Sequence, residues 1–264
     1  MVQAISLNTE MKEGSTIFFP EVVKTNIAKF LISHGTHQTI KKGSNISKNI
    51  LLNNFIYVGS GLLFYIKRTN DYSRPKFINV ILPNRLTDYH LLLKDNCTCC
   101  KNIKAARDSE IIIINKSIIN NLAETDTALF TEFMFDSNYF MERQTALAIF
   151  LLTSSPEDKL TKFLFDLLVV LKVDFSTPWL EVSLKLTREE IADILHISVI
   201  KLDIMFGHLK KRGVLKREDN KLYVKSSFFY ELSPCPLGRE DAKGCQSNNM
   251  LKFKPNNMIA ANNI

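Results

Sequence analysis

The chain has 264 residues, 45% hydrophobic and 23% charged, with a formal net charge of +7. That length allows two domains with apolar cores of their own, and the basic balance favours an anionic partner, either nucleic acid or an acidic membrane surface. Five cysteines, an odd number, do not make a disulfide framework, and neither a secretory signal nor a membrane-length apolar run is present. A cytoplasmic protein without a membrane partner is expected.

Residues 1–26 read as an N-terminal extension. Over residues 27–122, β-branched and aromatic runs such as "HQTI", "NNFIYVGSGLLFYIKR", "KFINVIL" and "EIIIIN" are broken by turn residues, among them Gly43-Ser44 and Gly59-Ser60-Gly61. Short strands at this spacing predict a small antiparallel β-roll, a double-stranded β-helix or jelly-roll-like domain, in a chain of the α+β class.

From 123 to 154 the pattern changes to a segment without Gly or Pro until its end, in which Leu129, Phe133, Phe140, Leu147 and Leu151 recur at roughly helical spacing. One long helix is expected, with more apolar surface than one small domain can cover. A homodimer built on those five residues is the natural solution. Packing of the helix wholly on its own roll is the other possibility.

Residues 155–232 form the next expected domain. Ser155 is placed as an N-cap, Pro156 as the first helical residue, and Glu157-Asp158 in the first turn. A strand "WLEVSLKL" follows, then "LTREEIADILHISVIKLDIMFGHLKKRGVL" at 186–215. There Thr187 and Glu190 form a capping box, so a helix starts at Arg188 with Ile191, Ile194 and Leu195 inward and the small Ala192 leaving room for a crossing helix. His196 occupies a corner where a left-handed conformation usually falls to Gly. Ser198 caps a second helix with Leu202, Met205 and Leu209 inward, and Gly213 ends it. A hairpin, "VLKRE" and "KLYVK" around Asp219-Asn220, comes next.

Small residue, corner and apolar positions at these offsets describe a helix-turn-helix, and the hairpin makes it winged. A plain helical hairpin in a core is the competing reading. Lys210, Lys211, Arg212, Lys216 and Arg217 crowd the exit of the second helix and the start of the wing, where phosphates are the natural target and a solvated rim the plainer alternative. Residues 233–264, rich in Pro, Asn and Gly, read as a mostly disordered tail.

The order of strand-rich domain, long helix, Pro-initiated helix, short strand and then "LTREEIADILHIS...HLKKRGVL" resembles the Crp/Fnr family of bacterial transcription regulators over most of residues 27–225. The resemblance is specific at motif level only in the C-terminal third, in "LTREEIA", Ser198 and "LKKRGVL". It implies a homodimer on the long helix, a sensory domain of the cyclic-nucleotide-binding type and two DNA-binding heads on a pseudo-palindromic site. Carried over, the interface to double-stranded DNA comprises Thr187, Arg188, Ser198, Val199, Ile200, Lys201, Ile204 and His208, together with the basic cluster.

The sequence departs from the family pattern at the reading positions. The family places Arg and Glu just after the serine and another Arg one turn on, where this chain has Val199, Ile200 and Ile204. Arginine holds guanine by two hydrogen bonds, whereas valine and isoleucine can only pack on thymine methyl groups. A·T-biased contacts, phosphate-led binding of low specificity, and loss of DNA binding in favour of a protein partner all stay open.

The family's Gly-Glu-Leu segment and Arg-Ser pair are replaced by "LPNRLTDYHLLLKDNCTCCKNI", so cyclic AMP is not expected to bind. Cys97, Cys99 and Cys100, with His90 upstream, match neither a zinc ribbon nor a four-cysteine cluster, and read as small apolar residues of a strand, Cys97 and Cys99 inward and Cys100 outward. Cys235 and Cys245 are unassigned. No catalytic constellation stands out. The expectation is a dimeric transcription regulator, not an enzyme, without cofactor or metal, whose further partners are RNA polymerase or another regulator. A dimeric interaction module that antagonises another regulator without touching DNA, and a cysteine-based sensor, are the alternatives.

Overall fold

The computed structural model describes residues 16–67, 76–87, 102–184, 186–219 and 221–230. His90, Cys97, Cys99, Cys100, Cys235 and Cys245 lie outside the described residues, as does the expected tail. The larger of two compact units holds Thr16–Asp166 and Leu186–Leu202, and the smaller one holds, among the described residues, 167–184 and 203–230. This division cuts the chain after Asp166, between 184 and 186, and after Leu202.

In the larger unit, helix α1 (Thr25–His34) precedes β1 (Thr36–Ile40), β2 (Asn45–Ile46), α2 (Lys48–Asn53), β3 (Asn54–Ser60), β4 (Leu63–Lys67), β5 (Lys76–Ile81), β6 (Arg85–Leu86), β7 (Asn102–Ala105) and β8 (Ser109–Asn115). The strands form two antiparallel four-stranded sheets, in the orders β1-β8-β3-β6 and β2-β7-β4-β5, so the expected antiparallel roll is present. Helices α3 (Lys116–Thr125), α4 (Thr127–Thr153), α5 (Pro156–Val170) and α6 (Arg188–Ile194) follow.

Strand β8 shows why "EIIIIN" carries isoleucine without polar alternation. Ile112 and Ile114 enter a core shared with α1, α3 and α4, while Ile111 and Ile113 turn to a second core inside the roll. Successive side chains on a strand point to opposite faces, so a strand covered on both faces stays apolar throughout.

The sequence reading missed α1, α2 and α3, and expected one helix where two occur. Asp126 is the cause of the break: its backbone leaves the helical region, and its carboxylate accepts the Leu129 N–H at 3.0 Å, ending α3 and capping α4. The predicted cap of α5 is formed as read, Ser155 Oγ accepting the Asp158 N–H at 3.1 Å.

The segment Thr16–Pro20, set aside in the sequence as part of an extension, is a buried strap. Phe18 meets Phe150 of α4 and Phe163 of α5 edge-on, with ring centroids 6.0 and 5.3 Å apart, and Phe19 packs on Phe163 at 5.7 Å. The Asp166 carboxylate, fully buried on α5, accepts the N–H groups of Ile17 at 2.7 Å and Phe18 at 3.1 Å and the Lys162 ammonium at 2.7 Å. Burial raises the Asp166 carboxyl above its ordinary range, opposed by Lys162 and the two N–H donors. At the end of the strap, Arg85 Nε donates to the Pro20 carbonyl at 2.6 Å, and beyond it the Val23 N–H donates to the Asn84 carbonyl at 2.9 Å.

The smaller unit contains β9 (Trp179–Val182), β10 (Leu215–Glu218), β11 (Lys221–Lys225) and the short helix α8 (Ser227–Tyr230). The three strands pair antiparallel in the order β10-β11-β9, and β9 is shorter than the expected "WLEVSLKL". Helix α7 (Val199–Lys211) and helix α5 each contribute residues to both units. Among the described residues, no helix is long and apolar enough to cross a membrane.

An Asp166→Ala substitution is expected to cost about 3–5 kcal/mol, because the Lys162 charge and two buried N–H donors lose their acceptor. Urea unfolding measures this, and a loss below about 1 kcal/mol would mean that the strap is not an anchored part of the fold.

Candidate nucleic-acid interface

The candidate residues lie on α6, the corner after it, α7 and the β10–β11 hairpin. The capping box predicted at the start of α6 is complete: Thr187 Oγ1 accepts the Glu190 N–H at 3.1 Å, and the Glu190 carboxylate accepts the Thr187 N–H at 2.8 Å. Ile191, Ala192, Ile194 and Leu195 are buried, as read. Within its unit α6 lies against β5, where the Phe77 N–H reaches the Asp193 carboxylate at 3.4 Å.

The corner is local and tight. His196 has φ +54°, its N–H donates to the Asp193 carbonyl at 3.1 Å, and the Ile197 N–H donates to the Ala192 carbonyl at 3.0 Å. Ser198 Oγ then accepts the Lys201 N–H at 3.1 Å and starts α7. Leu202, Met205 and Leu209 are buried, and Phe206, unremarked in the sequence, is buried with them. At the exit Gly213 has φ +66°, its N–H donates to the Lys210 carbonyl and the Val214 N–H to the Leu209 carbonyl, the paired bonds of a glycine-closed helix.

The outward residues of α7 divide into two chemistries. Ile200 is 73% exposed and Ile204 48% exposed, one turn apart on one face, while Val199 is only half open. His208, Lys210, Lys211 and Arg212 are exposed on the last turns, where positive charge also complements the helix dipole. Lys210, Lys211, Arg212 and Arg217 make no ion pair with a described residue.

Lys201 and Lys216 are engaged by acids of the chain. Lys201 pairs with Glu157 at 2.9 Å. Lys216 pairs with Glu218 at 3.0 Å and stands 4.5 Å over the Trp179 ring and 5.4 Å over the Tyr223 ring. The Thr187 and Ser198 hydroxyl oxygens cap helices; Thr187, Arg188 and Ser198 are all exposed. Sequence reasoning missed Glu157, Trp179 and Tyr223 because each reaches its partner across strands or between helices, and no local spacing encodes that.

The hairpin forms as read. Glu218 pairs with Lys221 across the two-residue turn, and Asp219 has φ +48°, the left-handed geometry such turns require. Lys221 also donates to Glu181 of β9 at 3.0 Å, and this hydrogen bond raises its pKa above the ordinary lysine value.

The five residues expected to face a second copy face the chain itself. Phe133 is fully buried, in edge contact with Phe55 at 5.8 Å, Leu129 and Phe140 pack on the same core, and Leu147 and Leu151 are buried. An apolar stripe marks the buried face of a helix without saying which molecule covers it. The outward apolar residues of α4 are instead Phe135, 67% exposed, Met141, Ile149 and Leu152, 84% exposed.

No family model matches the sequence, and no curated protein matches it at a significant level. Solved structures do. FixK2 from Bradyrhizobium japonicum superposes with a TM-score of 0.61 at 14% identity, covering 76% of this chain and 98% of that one. A CooA mutant from Carboxydothermus hydrogenoformans gives 0.62 at 17% identity, covering 82% and 99%. A structure described as a transcriptional regulator of the Crp/Fnr family from Eubacterium rectale gives 0.54 at 18% identity, covering 79% and 93%. The chain has the Crp/Fnr-like cyclic-nucleotide-binding fold.

The corner supplies a direct test of this geometry. His196→Val is expected to lower stability by about 1–2 kcal/mol and His196→Gly to be far milder, since a β-branched residue resists positive φ and glycine does not. Thermal unfolding of both variants measures the difference, and equal losses would mean the corner is not left-handed.

Proposed function

We propose that this chain is a dimeric, DNA-binding transcription regulator of the Crp/Fnr type, acting in the cytoplasm without cyclic AMP, with α6 and α7 as a helix-turn-helix and β10–β11 as its wing. The observation that carries the reading is α7 itself: a capped helix after a tight corner, with an outward face that ends in Lys210, Lys211 and Arg212, all exposed and without ion pairs to described residues. The likeness of the fold to solved regulators supports it.

In this reading α7 enters the major groove. Ile200 and Ile204 pack on thymine methyl groups, His208 offers the polar contact, and the exit cations hold phosphates. Specificity then comes from A·T content and duplex shape, because no arginine reads guanine from the face of α7. Independence from cyclic AMP is supported by Arg85, an arginine of the stretch comparable with the family's phosphate clamp. It is buried and donates to the carbonyls of Pro20 and Pro83. Burial lowers its pKa to about 10, so it remains charged at neutral pH, but it is committed to the strap.

The second copy is placed on the outward face of α4. Phe135 and Ile149 are separated by two heptads, and Leu152 stands three residues past Ile149, the a and d spacing of a helix pair. Glu142 and Thr145 between them make the middle of the seam polar.

Selection of bound fragments from random DNA, followed by affinity against salt, tests DNA binding: an A·T-rich motif with a steep salt slope is expected. No motif and no slope would favour a regulator-antagonising interaction module, for which exposed Ile200 and Ile204 are also suited. Changing both Lys210 and Lys211 to Ala should weaken binding on all sequences alike and flatten the slope by up to about two units. For the dimer, Phe135→Asp combined with Leu152→Asp should yield folded monomer in sedimentation. Persistence of the dimer would place its interface elsewhere.

A further inference from the structure

We propose that Gly207 of α7 is the point where one sugar–phosphate strand of a DNA duplex crosses the helix, with a deoxyribose set against bare backbone. The proposal rests on the reading of α7 as the DNA-reading helix and adds the depth at which that helix sits. Glycine inside a helix lowers stability relative to alanine, because its backbone gives up more freedom on folding. At two other positions glycine answers a need of the fold: Gly213 takes φ +66°, and a Cβ at Gly35 would strike the Ile112 side chain and the Leu31 carbonyl. Gly207 answers neither need. It lies inside the unbroken helix Val199–Lys211, its φ is not positive, and a Cβ added there would meet no atom of a described residue within 4 Å. The fold gains nothing from the missing side chain, so the gain lies in what approaches α7 from outside.

The neighbours of Gly207 indicate the partner. Residues three and four apart share a helix face, so Asp203 and Ile204 stand on one side of it and Lys210 and Lys211 on the other. All four are exposed, and Gly207 itself is half-buried, a notch in the outward face. The two lysines make no ion pair with a described residue. A DNA strand offers the chemistries in the order this face requires. Its deoxyribose is uncharged and turns C–H groups to the notch and to Ile204, while a flanking phosphate meets Lys210 and Lys211. Asp203 repels phosphate from the opposite side, so the strand crosses in one register. Lysines alone would accept a phosphate at many points along a strand. The notch makes that contact a placed one, and it sets how closely Ile200 and Ile204 approach thymine methyl groups.

Gly207→Ala and Gly207→Leu test this on the full chain, with fluorescence anisotropy of a labelled A·T-rich duplex at fixed salt measured beside thermal unfolding. Alanine should raise the Tm by about 2–4 °C, since it favours the helix and meets no neighbour, and leucine should not lower it. Affinity should move the other way, falling about fivefold with alanine and about a hundredfold with leucine as the strand is held off the backbone. A glycine with a merely structural role gives a different pairing, a lower Tm with binding lost only as the chain unfolds. A Tm lowered by alanine, or a leucine variant that binds as tightly as the unaltered chain, overturns the proposal and leaves the reading of α7 standing. If the unaltered chain binds no duplex, the reading of α7 falls and this proposal with it.

Discussion

Asp166 is the group on which the larger unit turns. A carboxylate withdrawn from water costs several kcal/mol unless its oxygens are fully used. Here a lysine one turn back and two consecutive backbone N–H groups use them. Because those donors belong to Ile17 and Phe18, satisfying the acid fixes the strap, and fixing the strap seats Phe18 and Phe19 against α4 and α5. The polar anchor specifies the position and the aromatic rings supply the burial. Neither alone would choose this arrangement, since an apolar segment can slide along an apolar groove and a lone carboxylate would not remain inside.

The strap also explains which face of α4 is left open. One side of that helix is occupied by Phe133 in the roll core and by Phe150 against Phe18, so the stripe that looks ready for a partner in the sequence is consumed internally. What remains outward is shorter and more mixed, with Phe135, Ile149 and Leu152 broken by polar residues. Were a second copy to meet this face as proposed, it would gain less apolar burial than a continuous seam gives, so the association would be sensitive to protein concentration.

Local signals were legible and long-range ones were not. The capping box at Thr187 and Glu190, the corner at His196, the Ser155 and Ser198 caps, the Gly213 stop and the Asp219 turn were all readable because each is complete within a few residues. The antiparallel roll was readable from strand spacing. Helices α1 and α3 were missed because their apolar positions lie beside β-branched runs and mimic strands, and the Asp126 break was overlooked because one acid inside a helical pattern is unremarkable. The strap had a sequence signal in retrospect: "IFFP" is an apolar run in a supposed extension, and Asp166 is an acid inside "FLFDLLVV", a position that demands buried donors from elsewhere. The pairing of Lys201 with Glu157 and of Lys216 with Trp179 and Tyr223 had no signal, since pairing across elements leaves no mark in spacing.

Those pairings change what the basic cluster means. A lysine lying over an indole and against a carboxylate is a structural part of the hairpin, and its charge is partly offset before any phosphate arrives. Lys201 on α7 is likewise held by an acid. The electrostatic drive toward an anionic duplex therefore rests on Lys210, Lys211, Arg212 and Arg217, beside an apolar pair that gains by excluding water from thymine methyl groups but makes no hydrogen bond to a base edge. If α7 reads DNA as proposed, such a surface is attracted to duplex DNA of any sequence and discriminates weakly among sequences. Under that proposal, selectivity would come from positions on the duplex that the surface does not touch, through groove width and ease of bending, and from joining two heads in the proposed dimer.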